Sequence, residues 1–132
     1  MKIEHIAIWT NNLEMLKDYY VKFFKGRSNQ KYLNHKTQFE SYFISFESGC
    51  RLELMTTPDI EEKEYHELKY KGITHFAFEV ESNLEVDLKA KELEVAGFPI
   101  IKGPRITGDG YYEFETIDID GNKIEVVTKQ IN

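Results

Sequence analysis

Ile3-Glu4-His5-Ile6-Ala7-Ile8 returns later in the chain as Ile73-Thr74-His75-Phe76-Ala77-Phe78. A second segment also repeats: Gly49-Cys50-Arg51-Leu52-Glu53-Leu54-Met55 returns as Gly121-Asn122-Lys123-Ile124-Glu125-Val126-Val127. The two histidines stand 70 residues apart and the two glutamates 72. A duplicated module is the simplest account. Side chains of a strand alternate between its two faces. On that parity His5, Ala7 and Trp9 share one face against Ile6 and Ile8, and His75 and Ala77 share one face against Phe76 and Phe78. Leu52 and Leu54 oppose Glu53 as Ile124 and Val126 oppose Glu125. All four polar residues therefore avoid the apolar face.

Four such groups are costly in a dry core unless each is hydrogen-bonded or binds a cation. Two copies, each with one His and one Glu, can bring four ligands to one divalent ion. Imidazole with carboxylate suits Zn, Ni, Co, Fe or Mn better than Ca or Mg. His5, Glu53, His75 and Glu125 are the candidate ligands. His35 and His66 have no duplicate and read as surface residues.

Each repeated His strand leads into a helical pattern. Asn11 or Asn12 can cap a helix through Leu13, Leu16, Tyr20 and Phe24, with Gly26 as its stop. Ser82 or Asn83 opens a second helix through Leu84, Leu88 and Leu93, stopping at Gly97. Strand character follows over 30–33, 40–47 and 51–55 in the first copy, and over 99–102, 111–119 and 123–128 in the second. Glu47-Ser48-Gly49 and Asp118-Ile119-Asp120-Gly121-Asn122 have the composition of hairpin turns. Each copy reads β-α-β-β-β, an α+β pattern, with residues 1–57 as the first module, 58–72 as linker and 73–132 as the second. The stretch from Gly103 to Gly110 is the most turn-rich in the chain and reads as a mobile rim. Its glycines fit neither a Walker loop nor a dinucleotide fingerprint.

A chain of 132 residues fits one domain, or two modules that are each marginal alone. The net charge of −6 argues against nucleic acid as a partner, because phosphate is held by clustered Lys and Arg. Asp59-Ile60-Glu61-Glu62-Lys63-Glu64 reads as a solvated segment between the copies, with a lid as the sharper alternative. No run approaches the ~18 apolar residues of a membrane span, and no basic segment precedes an apolar one at the N-terminus. A soluble, cytoplasmic protein is the expectation. The single cysteine, Cys50, excludes an intramolecular disulfide and has the strand parity of a buried apolar residue.

At these residues the chain resembles the vicinal-oxygen-chelate superfamily, and within it the glyoxalase I-like proteins, from Ile3 to Thr128. The likeness rests on the paired β-α-β-β-β order and on the His5, Glu53, His75, Glu125 quartet. It rests also on the ending Asp118-Ile119-Asp120-Gly121-Asn122-Lys123-Ile124-Glu125, which is similar to the family's Asp-Pro-Asp-Gly-Asn-x-Ile-Glu. The segment from Pro104 to Glu113 is similar to one in glyoxalase-like relatives. The resemblance implies that two modules form a cup around a divalent ion (Ni, Co, Zn or Mn) held by the quartet. It also implies a homodimer in which each site draws its two pairs from different chains. The activity implied is that of a lactoylglutathione lyase-like isomerase or lyase. Its small-molecule substrate chelates the metal through vicinal oxygens and loses a C–H proton to a glutamate. Glu125 is the expected base with Glu53 across the site, the reverse being the alternative.

In glutathione-dependent members an arginine stands four residues after the first metal His, and an asparagine four after the first metal Glu. Here Trp9 and Thr57 stand there, which argues against glutathione as the thiol. Trp9 reads as an aromatic wall for substrate or as filler of a core or dimer interface. Arg51 can pair with Glu53 or hold a substrate anion, and Arg105 can reach an anion from the rim; an arginine in either place is more often part of a surface ion pair, because such pairs are common and weak. The rival class is a dimeric drug-binding module of the bleomycin-resistance type, which sequesters a planar cation and lacks the quartet. Extradiol dioxygenases and fosfomycin-resistance enzymes use three-ligand sites, and methylmalonyl-CoA epimerase-like proteins usually carry glutamine at the position of Glu53.

Overall fold

The computed structural model describes residues 1–62, 69 and 71–130. Lys63 and Glu64 of the acidic segment, and His66, lie outside the described residues. The chain divides into two compact units, Met1–Glu64 and Tyr65–Asn132. Both have the expected α+β make-up.

In the first unit β1 (His5–Trp9) leads into α1 (Leu13–Phe24), followed by β2 (Arg27–Ser28), β3 (Tyr32–Asn34), β4 (Phe39–Ser45) and β5 (Arg51–Thr56). The strand order is β1-β5-β4-β2, with β3 also on β4. The one strand expected over 30–33 is thus two short ones. Between them, Asn29 N–H donates to the Phe43 carbonyl at 3.1 Å while its side-chain Oδ1 accepts from Phe43 N–H at 2.8 Å. A side chain has taken the backbone's place there, and the ladder breaks. In the second unit β6 (His75–Glu79), α2 (Asn83–Val95), β7 (Ile100–Ile106), β8 (Tyr111–Ile117) and β9 (Lys123–Lys129) form a sheet of order β6-β9-β8-β7.

The helices pack on the faces that the parity predicted. α1 lies on β4 and β5, and Leu16, Tyr20, Ile44 and Leu54 are fully buried there. Tyr19 and Phe23 join them, whereas Phe24 is only half-buried. α2 corrects the expected core. Val86, Ala90 and Leu93 meet the sheet, while Leu84 and Leu88 are 64% and 60% exposed. The helix carries two apolar stripes, and periodicity alone does not choose between them. Its start is secure: Ser82 Oγ accepts from Glu85 N–H at 3.2 Å, and the Glu85 carboxylate reaches back to Glu81 N–H at 2.8 Å. Cys50, expected to be buried in a strand, precedes β5 and is half-buried.

Two glycines act differently from their expected roles. Gly26 does not itself supply the left-handed stop of α1; Lys25 does, at φ 55°. Gly26 instead permits a close approach, since a Cβ there would lie 2.5 Å from Ile44 Cγ2 and 3.0 Å from the Tyr20 carbonyl. Gly26→Ala is expected to destabilise the protein by about 1–3 kcal/mol, the usual range for overpacking, read as a lower urea midpoint with no change in slope. An unchanged midpoint would mean that the α1–β4 contact relaxes freely. Gly103, expected in a mobile rim, is inside β7, which runs on to Ile106. The register with β8 slips between Ile100 and Lys102 and again before Arg105. Gly103 at φ 81° and Pro104 sit at that irregularity, on an edge strand where a missing N–H is tolerated. Only the turn closed by Gly110 N–H on the Thr107 carbonyl, at 3.1 Å, remains of the predicted rim.

Candidate metal centre

Both units place their histidine and glutamate by one and the same register. β1 and β5 run parallel with Ala7 opposite Glu53, and β6 and β9 run parallel with Ala77 opposite Glu125. The histidine is two residues before the alanine on the same face, so imidazole and carboxylate meet diagonally. An alanine between them leaves the space open. His5 Nε2 lies 3.7 Å from Glu53 Oε1, and His75 Nε2 lies 3.2 Å from Glu125 Oε2. The side chains of Glu53 and Glu125 are 16% and 17% exposed, those of His5 and His75 42% and 36%.

This donor set fits a divalent ion. Two ligand atoms at tetrahedral to octahedral angles on one ion stand roughly 2.8–3.6 Å apart. The His75–Glu125 separation falls inside that interval, and the His5–Glu53 separation needs only a slight rotation. Among the described residues no three His, Cys, Asp or Glu side chains are placed to hold one metal ion together. Each unit holds one such pair.

The surroundings of the two pairs differ. His5 lies edge-on to Phe43, with ring centroids 5.4 Å apart, and its Nδ1 is 3.1 Å from Glu4 Oε2. Arg51 does not pair with Glu53 as one reading had it: its guanidinium grips both oxygens of Glu4 and stacks 4.0 Å above the Phe43 ring. In the second unit Glu115 stands opposite Glu125 as Phe43 stands opposite Glu53. Lys123, the counterpart of Arg51, lies 3.5 Å from Glu115. Burial pushes the Glu113 carboxyl above the usual carboxylate range, and the charge of Glu125 adds to the effect while Arg105 opposes it. Arg105 is opposite Glu113 in the register, 3.9 Å away. Trp9 is 53% exposed and edge-on to Phe39. The predicted turn holds β9 in place through one residue: buried Asp118 accepts from Asp120 N–H, Asn122 N–H and Asn122 Nδ2, each at 2.9 Å.

Glu4, Phe43, Glu113 and Glu115 were not singled out from the sequence. For Glu115 the signal was present, because a hairpin that pairs Ile117 with Lys123 sets Glu115 opposite Glu125. Glu4 adjoins His5 on the opposite strand parity, and only its side-chain path brings it to the imidazole.

A family model for the Glyoxalase/Bleomycin resistance protein/Dioxygenase superfamily matches residues 2–126. The protein YqjT of Bacillus subtilis (strain 168) is 30% identical over 131 residues, covering 95% of this chain and 97% of YqjT. A glyoxylase/bleomycin resistance protein/dioxygenase domain from Frankia sp. EAN1pec superposes with a TM-score of 0.81 at 15% identity, covering 98% of each chain. The trypanothione-dependent glyoxalase I of Leishmania major superposes at 0.77 with 18% identity, covering 97% of this chain and 86% of that one. At such identities the likeness to solved structures shows the fold alone.

Proposed function

The chain belongs to the Glyoxalase/Bleomycin resistance protein/Dioxygenase superfamily, and from that premise we propose that it is a divalent-metal-dependent isomerase or lyase of the glyoxalase I type. The observation that supports this most strongly is the twice-built His–Glu pair, with one register and nitrogen–oxygen separations of 3.7 and 3.2 Å. His5, Glu53, His75 and Glu125 would hold the ion. When bound, it would act as a Lewis acid toward two neighbouring substrate oxygens and acidify the adjacent C–H. In this reading the working form is a homodimer, and each site takes one His–Glu pair from each protomer.

Glu125 accepts the C–H proton at a carboxylate oxygen and returns it to the neighbouring carbon. Glu113, its neighbour across β8 and β9, lies 3.9 Å from Arg105, whose charge offsets the carboxylates gathered there. Glu53, beside the edge-stacked His5 and Phe43, serves as ligand across the site. Trp9 offers an aromatic surface to the substrate, and Arg105 an anion contact. Arg51 is less available for that role, because Glu4 already occupies its guanidinium. With Trp9 and Thr57 where glutathione-dependent relatives carry Arg and Asn, the substrate is a 2-oxoaldehyde adduct of another thiol, or a comparable small molecule with vicinal oxygens.

Elemental mass spectrometry on protein purified without a chelating tag, beside Glu125→Gln, tests the reading. About one Ni, Co, Zn or Mn per chain, reduced in the variant, is the expected result. No metal after incubation with each ion would overturn it. That outcome would favour the second reading, a dimeric drug-binding module, for which the exposed Trp9 beside Phe39 and the net charge of −6 provide a surface suited to a planar cation.

A further inference from the structure

The duplication makes the two histidines equivalent in register, yet among the described residues only His5 has an acidic partner on its far nitrogen. Glu4 Oε2 lies 3.1 Å from His5 Nδ1; the corresponding residue before His75 is Thr74, whose side chain is too short and too weak an acceptor for that role. Glu4 is itself held by Arg51, through side chain and backbone, and Arg51 is held in turn by Phe43. Arg51 contacts both of its carboxylate oxygens, Arg51 N–H donates to its backbone carbonyl at 2.9 Å, and the guanidinium rests on the Phe43 ring that meets His5 edge-on. Both oxygens of Glu4 accept from the Arg51 guanidinium, an arrangement that suits the ionised carboxylate. An ionised carboxylate only accepts.

We propose that Glu4, braced by Arg51, is a positioning residue that fixes His5 as the Nδ1–H tautomer and so presents the bare Nε2 lone pair to the ion. Free imidazole favours the opposite tautomer, with the proton on Nε2 and that nitrogen unable to ligate. A carboxylate on the outer nitrogen both selects the tautomer and raises the basicity of the inner one. The inference rests on the metal reading above for its purpose, but not for its geometry. It also makes the site unequal: the His5 half is oriented before metal arrives, and the His75 half lacks this brace.

The test uses the full-length metal-free protein, labelled with 15N in its histidines, at a pH where imidazole is neutral. Nitrogen shifts of His5 and His75 report the tautomers of the wild type, Glu4→Ala and Glu4→Gln, and zinc titration of the same samples reports affinity. In the wild type His5 is expected to carry its proton on Nδ1. Glu4→Ala should move it toward the Nε2–H form, leave His75 unchanged and weaken zinc binding by about 10-fold or more. Glu4→Gln, which keeps an acceptor oxygen, should restore most of both. A His5 tautomer unaltered in Glu4→Ala overturns the proposal, as does an equal change at His75, which would indicate general loosening. Wild-type protein that shows the tautomer shift but binds no zinc would sink the metal reading and leave the placement of the His5 proton supported.

Discussion

Replacing His75 with alanine is expected to strip the protein of its metal and of turnover together. The imidazole Nε2 is 3.2 Å from the Glu125 carboxylate, and the variant leaves that carboxylate without its paired imidazole. A carboxylate without its imidazole partner holds a transition-metal ion far less firmly. Loss of an outer partner costs about 10–100-fold in metal affinity, and loss of a direct ligand should exceed that. Metal content should fall from about one ion per chain to near background, and activity by at least the 10²–10⁴-fold range of a lost catalytic group. His5→Ala should do the same, because the Ala7–Glu53 register repeats that of Ala77 and Glu125. The fold is expected to survive, since the His75 side chain is 36% exposed. Urea unfolding would confirm that. Unchanged metal content or unchanged turnover in a folded His75→Ala protein would take the quartet out of the mechanism.

Phe114→Ala is expected to have the largest effect on stability. Phe114 is 1% exposed and stands opposite Val126, also 1% exposed, with α2 packed against β8 and β9. Removing a buried phenyl group costs about 3–5 kcal/mol, through lost transfer energy and the cavity that remains. Whole domains hold only about 5–15 kcal/mol. The urea midpoint should therefore fall by roughly 1–3 M. Glu113 and Glu115 flank Phe114 on the opposite face of β8, and Glu115 faces Glu125, so metal retention should weaken alongside stability. Glu115→Gln provides the contrast, with a stability change well under that of the core variant. Equal midpoints for Phe114→Ala and wild type would mean that this sheet collapses readily around the void.

Much of this was present in the chain itself. The repeats around His5 and His75, and around Glu53 and Glu125, identified the family, and period-two alternation assigned each strand its two faces. The structure keeps those assignments, with Leu52, Leu54, Ile124 and Val126 inward and the His and Glu residues on the other side. Alternation is local, because it follows from the backbone geometry of a strand wherever the strand lies. Helix positions were legible for the same reason, and so was the turn that Asp118 closes.

Where the reading missed, the deciding contact was distant in sequence. Which stripe of α2 faces the sheet depends on what the sheet offers. Gly26 is needed because Ile44 approaches it from another strand, and the edge of the sheet lets β7 continue through Gly103 and Pro104. Arg51 had two acidic residues within reach; tertiary structure gave it to Glu4, 47 positions away, and left Glu53 to His5. By itself the sequence determined the duplication, the α+β modules, the family and the residue types that form the pairs. Only the tertiary structure decided the parallel register that brings Glu53 to His5 and Glu125 to His75, and the brace behind His5. Hydrogen-bonded pairing between strands and charge partnership through space depend on three-dimensional distance, which the order of residues constrains only locally.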